Sequence, residues 1–370
     1  MRDVLEELHH RWSAGETVGM ATVVGAYLSA PRAVGAAMVV SAAGTVTGSI
    51  SGGCVEGAVY ELAQRVINDG IPVLERYGVS DDDAFAAGLS CGGTIEVFVE
   101  RITPADFPAL DDFVSSVAED RPVATATVIA HPDPARVGAR LVVWPHDAAG
   151  SIGSARADAA IVDDARGLLA GGRSATLTYG PEGERLGDGM SVFVNVLEPP
   201  RRMLIFGATD FARAMARQGS FLGYRVTVCD ARAVFTTAQR FPEADEVVVA
   251  WPHKYLEAEV EAGRVDDRTV VTVLTHDPKF DIPVLATALR AQLGYVGAMG
   301  SRRTHDDRIA QLRELGLDDR ELAALASPIG LDLGARTPAE TAVSIAAEII
   351  AAQWGGSTQR LGTTLGRIHQ

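Results

Sequence analysis

Two cysteines in this chain stand beside paired glycines, in Ser51-Gly52-Gly53-Cys54 and in Cys91-Gly92-Gly93. Paired glycines let backbone N–H groups approach a ligand and adopt dihedral angles closed to other residues. At a helix start, unpaired N–H groups and the peptide dipole favour an anion and stabilise a thiolate, which makes Cys54 a candidate nucleophile or soft-metal ligand. A second thiol at the Cys91 turn would face the first across a shared site. Taken alone, Gly52-Gly53-Cys54 reads first as a glycine turn followed by a small buried thiol, and Cys91-Gly92-Gly93 reads equally well as an ordinary tight turn. Arg32, which follows Pro31, is a candidate partner for phosphate or carboxylate, or else a solvated turn arginine.

An internal repeat shifts that balance. Gly48-Ser49-Ile50-Ser51-Gly52-Gly53-Cys54-Val55-Glu56 returns 102 residues later as Gly150-Ser151-Ile152-Gly153-Ser154-Ala155-Arg156-Ala157-Asp158, and the pairing runs without a gap to Gly70 and Gly172. Flanking segments agree: Val34-Gly35-Ala36 matches Val137-Gly138-Ala139, and Glu96-Val97-Phe98-Val99 matches Ser191-Val192-Phe193-Val194. What both copies keep serves the fold. What only the first keeps, namely Gly52, Gly53, Cys54 and the Cys91-Gly92-Gly93 turn, is a candidate for function.

These residues need elements to position them. Over residues 18–40 two β-rich runs flank a turn at Ser29-Ala30-Pro31-Arg32, which predicts a hairpin or adjacent strands feeding the glycine motif. Beyond Cys54, the residues Val55, Val59, Leu62, Ala63, Val66 and Ile67 recur at helical spacing, so Ser51-Gly52-Gly53-Cys54 falls on a strand-to-helix turn. A polar stretch leads to Cys91 and then to a strand over residues 95–99. The second copy repeats this order without cysteines. The first domain is expected to span residues 1–198, with copies at about 18–100 and 123–197. Glu198-Pro199-Pro200-Arg201-Arg202 reads as a linker, residues 199–355 as a second domain and residues 356–370 as a loosely ordered tail.

Past the linker, apolar strands over residues 203–206, 225–229, 247–250, 269–274 and 295–299 alternate with helices, the rhythm of a doubly wound parallel sheet. The predicted fold class is α/β, an N-terminal duplicated α/β domain followed by a C-terminal Rossmann-like doubly wound parallel sheet. Gly207-Ala208-Thr209-Asp210-Phe211-Ala212 stands where a dinucleotide fingerprint belongs, with Asp230 close to the ~20 residues expected for a ribose-binding acid. Gly207 supplies the tight turn and Ala212 the close helix packing. Thr209, however, replaces the glycine that would admit a pyrophosphate, which weakens NAD(P) binding. Thr275-His276-Asp277 and Gly300-Ser301-Arg302-Arg303 follow the fourth and fifth strands at the ligand-binding edge, where Ser301, Arg302 and Arg303 are candidates to clamp a phosphate. The last helix has Thr337 as its cap, Pro338 at the first position and Glu340 completing a capping box.

Composition removes several classes. At 370 residues two domains are expected. Forty-eight acidic against 33 basic residues give a formal charge of −15, which repels a phosphate backbone and excludes nucleic acid as a partner class. The start reads as an amphipathic helix and no apolar run reaches the roughly 18 residues of a membrane span, so a cytoplasmic protein is expected. Cys54, Cys91 and Cys229 form neither a disulfide framework nor a zinc pattern, and Cys229 at the end of an apolar strand reads as inert core. Two-fold pairing, the commonest soluble assembly, makes a homodimer the expectation.

Together these motifs resemble the XdhC/CoxI family, accessory factors of xanthine dehydrogenase and related molybdenum hydroxylases, over nearly the whole chain. Gly48 to Glu56 and Cys91-Gly92-Gly93 look like the family's first domain. Phe206-Gly207-Ala208, Asp230-Ala231-Arg232, Leu274-Thr275-His276-Asp277, Gly300-Ser301-Arg302-Arg303 and Pro328-Ile329-Gly330-Leu331-Asp332-Leu333-Gly334-Ala335 look like its Rossmann domain. The resemblance implies a chaperone more than a catalyst: it binds molybdenum cofactor in its molybdopterin form, protects it while an oxo ligand is exchanged for sulfido, and delivers it to an apo molybdenum hydroxylase. A cysteine desulfurase and the target enzyme are the implied partners. Ser51, Gly52, Gly53, Cys54, Cys91, Gly92, Gly93, Arg32, Gly207, Asp230, Ser301, Arg302 and Arg303 are then the candidate cofactor contacts, with Cys54 touching molybdenum. Thr209 departs from the glycine common in relatives. Two other readings stay open, an NAD(P)-dependent oxidoreductase using the second domain and a scaffold that only docks the hydroxylase.

Overall fold

In the computed structural model, which describes residues 1–28, 32–78 and 93–364, the two sequence copies build two sheets of identical strand order. Cys91 and Gly92 lie outside the described residues. After α1 (Leu5–Ser13), the first sheet comprises β1 (Val18–Tyr27), β2 (Ala37–Ser41), β3 (Val46–Gly48), β4 (Val73–Gly78) and β5 (Thr94–Ile102), in the antiparallel order β3-β2-β1-β5-β4. The second comprises β6 (Val123–Ala130), β7 (Arg140–Val143), β8 (Ala148–Ser151), β9 (Ala175–Tyr179) and β10 (Met190–Leu197), ordered β8-β7-β6-β10-β9. In each copy one helix follows the third strand: α2 (Glu56–Asp69) in the first and, after α3 (Leu110–Ala118), α4 (Ala155–Ala170) in the second.

The glycines that both copies keep have a steric cause. Gly48 and Gly150 hold φ of +87° and +94°, and a Cβ at either would strike the main-chain oxygen of Ala37 or Arg140 respectively. The helices bury the expected stripes. Val59, Leu62, Ala63 and Val66 of α2, and Ala157, Ile161, Ala165 and Leu169 of α4, cover one face of their sheets. The opposite faces meet through Val24, Phe98, Ile129 and Phe193. Between them lies a buried Arg140–Glu100 ion pair, with the guanidinium 4.3 Å above the Phe107 ring. Burial pushes the Glu100 carboxyl up despite that partner.

The described chain divides into two units, Met1–Pro199 and Pro200–Thr364. The second is a six-stranded parallel sheet of β11 (Arg202–Phe206), β12 (Arg225–Asp230), β13 (Glu246–Val249), β14 (Val270–Val273), β15 (Tyr295–Ala298) and β16 (Leu325–Ala326), in the order β13-β12-β11-β14-β15-β16. Helices α5 (Asp210–Phe221) and, late in the chain, α10 (Pro338–Trp354) cover one face. On the other lie α6 (Pro252–Glu261), α7 (Pro278–Arg290), α8 (Arg302–Glu314) and α9 (Asp319–Ala323). This is the Rossmann-like arrangement, with the order reversing between β11 and β14. Thr337 caps α10 in a complete capping box with Glu340.

Candidate functional site

Strand pairing gathers the first copy's distinctive residues at one edge of its sheet. Thr94 pairs with both Tyr27 and Gly78, Thr22 pairs with Ala37, and Met38 pairs with Gly48. The loops that follow β1 and β3, and the chain entering β5, therefore emerge at the same strand ends. These connections carry Arg32, Ser51-Gly52-Gly53-Cys54 and Gly93. Helix α2 starts there as well, and Cys54, half-buried, packs with Ala26, Ala36 and Tyr77 against the core under that helix.

The anion in this turn is one the chain supplies itself. Glu56 accepts hydrogen bonds from the Ser49 hydroxyl at 2.8 Å and the Ser51 hydroxyl at 2.5 Å. It also accepts from the backbone N–H groups of Ser51 at 3.0 Å, Gly52 and Gly53 at 2.9 Å and Val55 at 3.2 Å. Burial pushes the Glu56 carboxyl up, but the donors from Ser51 and Ser49 and the backbone outweigh it and hold it at about 2. The expectation that Gly52 and Gly53 offer their N–H groups to an incoming anion is thus corrected: Glu56 has taken them, and its charge opposes the positive field expected at the helix start. What the glycines contribute is room. They hold φ of +80° and +117°, and a Cβ at either would find no atom of the described residues within 4 Å.

The second copy confirms the division of labour. Asp158, in register with Glu56, accepts from the Ser151 hydroxyl and the Ile152 N–H, both at 2.8 Å. An acidic residue closing the turn therefore belongs to the fold, and the thiol beside Gly52 and Gly53 belongs to the first copy alone. Asp158→Ala is expected to lower stability by about 1 kcal/mol, as loss of a helix cap does, without altering ligand binding; denaturant unfolding beside a ligand titration checks both. Ser51 acts within the turn as well, its hydroxyl accepting from the N–H groups of Cys54 at 3.0 Å and Val55 at 3.1 Å. Arg32 pairs with Asp3 at 3.5 Å, and its buried Nε has no hydrogen-bond partner among the described residues.

In the second unit the fingerprint turn is closed on itself. Gly207 holds φ of +119°, and a Cβ there would come within 3.0 Å of the Leu274 main chain. Asp230 is buried and accepts from the Ala208 N–H at 2.8 Å and from Arg232 Nε and Nη2 at 2.9 and 2.7 Å. Burial raises this carboxyl, yet the Arg232 and Ala208 donors prevail and hold it below its ordinary value. The ribose-binding role expected of Asp230 gives way to a structural one, because its acceptor sites are already used. Thr209 caps α5, accepting from the Ala212 N–H at 3.2 Å. Ser301 caps α8, leaving Arg302 and Arg303 exposed beyond β15. His276 is exposed; the buried group nearby is Asp281, bonded to Thr275 and, at 3.2 Å, to Arg308. Cys229 is buried in the core, where desolvation pushes its thiol up to about 12.

Residues 203–349 match the model of the XdhC Rossmann domain, and residues 11–78 and 116–180 match that of the XdhC and CoxI family. The chain belongs to the XdhC/CoxI family. Among its relatives, a probable xanthine dehydrogenase subunit of Bacillus subtilis is 26% identical over 90% of this chain and 93% of its own. The molybdenum cofactor insertion chaperone PaoD of Escherichia coli is 26% identical over 91% of this chain and 83% of its own. A solved structure, named as a xanthine dehydrogenase from Bacillus halodurans, shares the fold with a TM-score of 0.72 and 24% identity, covering 97% of each chain.

In this XdhC/CoxI chain no group of three His, Cys, Asp or Glu side chains among the described residues could hold a metal ion. No described helix is long and apolar enough to cross a membrane. The residue that sequence reasoning missed is Glu56. The signal was present, since the repeat aligns an acid with an acid at positions 56 and 158.

Proposed function

We propose that this chain is a chaperone for molybdenum cofactor, holding it at the first sheet's strand ends and passing it to an apo-enzyme of the xanthine dehydrogenase type. The reading includes shelter of the cofactor while an oxo ligand is replaced by sulfido, with a cysteine desulfurase as partner and a homodimer as the assembly. The observation that carries it is the half-buried Cys54 directly after two glycines at which an added Cβ would meet no atom of the described residues, kept in the first copy and replaced in the second. Family membership and a relative named as a molybdenum cofactor insertion chaperone support that cofactor as the cargo.

The residues present fit such a cargo. Molybdenum cofactor brings a soft, sulfur-ligated metal, a pterin and a phosphate. A thiol suits the metal end. The backbone of Gly52 and Gly53 allows close approach, and Arg32 has a buried donor with no partner among the described residues that suits an anionic group. The cysteine at 91 belongs to the proposal as a second thiol, and Ser301, Arg302 and Arg303 remain candidates for a phosphate contact in the second unit. Apo-hydroxylase incubated with cofactor-loaded protein should gain activity that a Cys54→Ala, Cys91→Ala double variant fails to confer. Equal activation by the double variant would establish the docking scaffold instead. The oxidoreductase reading loses its ribose acid at Asp230, and a fluorescence titration with NADH is expected to show no saturation.

A further inference from the structure

A second group of side chains is also confined to the first copy. The Tyr27 hydroxyl donates to Glu96 Oε2 at 3.2 Å, and the Arg76 guanidinium lies 5.7 Å from the centre of the Tyr27 ring. Register sets Glu96 opposite Gly25 on one side and Arg76 on the other. Gly25 leaves the space the carboxylate occupies, since a Cβ there would stand 2.8 Å from Glu96 Oε2. In the second sheet the position of Glu96 is taken by Ser191, flanked in register by Ala130 and Thr178. Carboxylate and guanidinium are gone there while the strand order is unchanged, so the cluster is not what builds the sheet.

Alternation along the strands puts Tyr27, Arg76 and Glu96 on the face away from α2, because Ile95, Val97 and Tyr77 pack on the helix side. They stand at the strand ends that carry Cys54, on the opposite face from Ala26 and Tyr77, which like Cys54 pack against the core under α2. Tyr27 is 48% exposed and offers a ring face for stacking. A carboxylate has about four acceptor sites, of which the Tyr27 hydroxyl uses one. A 2-aminopyrimidin-4-one ring presents two parallel N–H donors along one edge, the pattern a carboxylate accepts from a guanidinium.

We infer that Tyr27 and Glu96 read the pyrimidine end of a pterin, Glu96 accepting from its ring N–H and amino group while Tyr27 stacks on the bicycle. Arg76 is a positioning residue, its guanidinium set over the Tyr27 ring. The inference rests on the cofactor reading above and names the part of the cargo this edge recognises.

The test compares 6-carboxypterin with 6-carboxylumazine, which carries oxygen in place of the 2-amino group, by fluorescence titration of the full chain. Wild-type protein is expected to prefer the pterin by about tenfold or more, the scale of a hydrogen bond to a charged group. Glu96→Gln should lose that preference, Glu96→Asp should keep it at lower affinity, and Tyr27→Leu should weaken both ligands. Equal wild-type affinity for the two rings, or an unaltered preference in Glu96→Gln, overturns the assignment. Molybdenum cofactor released from a purified hydroxylase separates the two levels. Uptake of cofactor without any pterin preference sinks the Glu96 assignment alone, whereas no uptake sinks the proposed function with it.

Discussion

Cys54→Ala is expected to leave the protein folded and to reduce the molybdenum cofactor it retains by at least roughly tenfold, since the proposed site loses the thiol that suits the soft metal at that turn. Three observations lead there. The side chain is half-buried, so its removal opens no large cavity. The turn around it is held by Glu56 and Ser51, which the substitution does not touch. The second copy builds the same turn and helix with Arg156 at that position. Cys54→Ser, which keeps an acceptor of similar size but is hard where sulfur is soft, should fall much nearer to alanine than to wild type. Retention by either variant at the wild-type level, measured as molybdenum per chain, would remove Cys54 from the site.

Replacing Glu56 should have the largest effect on stability. Its folded carboxyl lies at about 2 against an ordinary 4.5, which corresponds to about 3 kcal/mol, and screening at a half-buried group leaves about 2 kcal/mol. Because the folded value is depressed, the carboxylate stabilises the native state fully above about pH 4.5, and that contribution fades as pH falls toward 2. Glu56→Gln should therefore be less stable than wild type by a constant amount from pH 7 to about 5, with the two converging in more acid solution. Denaturant midpoints measured across that range supply the comparison, and a difference that persists undiminished at pH 3 would contradict the assignment. The variant should also hold cofactor less well, since the Cys54 turn loses the group that gathers its N–H donors.

The way each feature could be read from sequence follows from how local its cause is. The α10 cap involves Thr337, Pro338 and Glu340 within four consecutive residues, and the structure has it as expected. Central strands such as β11 and β12 announce themselves as short apolar runs, whereas β16 has two residues and no such signal. The turn at Ser51 to Cys54 was legible because a strand, two glycines and a helical stripe follow one another. Glu56 was harder, since a search for an anion outside the chain passes over a carboxylate inside the motif. Asp230 misled for a related reason: spacing from Gly207 marks an acid near the fingerprint turn, but only geometry reveals that Ala208 and Arg232 already occupy it. The Asp281–Arg308 pair and the Tyr27, Arg76 and Glu96 cluster require strand register or helix packing to bring distant residues together.

The decisive measurement is the mass and metal content of the protein purified, without added ligand, from a cell that makes molybdenum cofactor. Wild-type protein should carry molybdopterin and molybdenum in comparable molar amounts, with both depleted in Cys54→Ala. Wild-type protein free of pterin and of molybdenum, although isolated from a cell whose hydroxylases are loaded, would refute the chaperone reading.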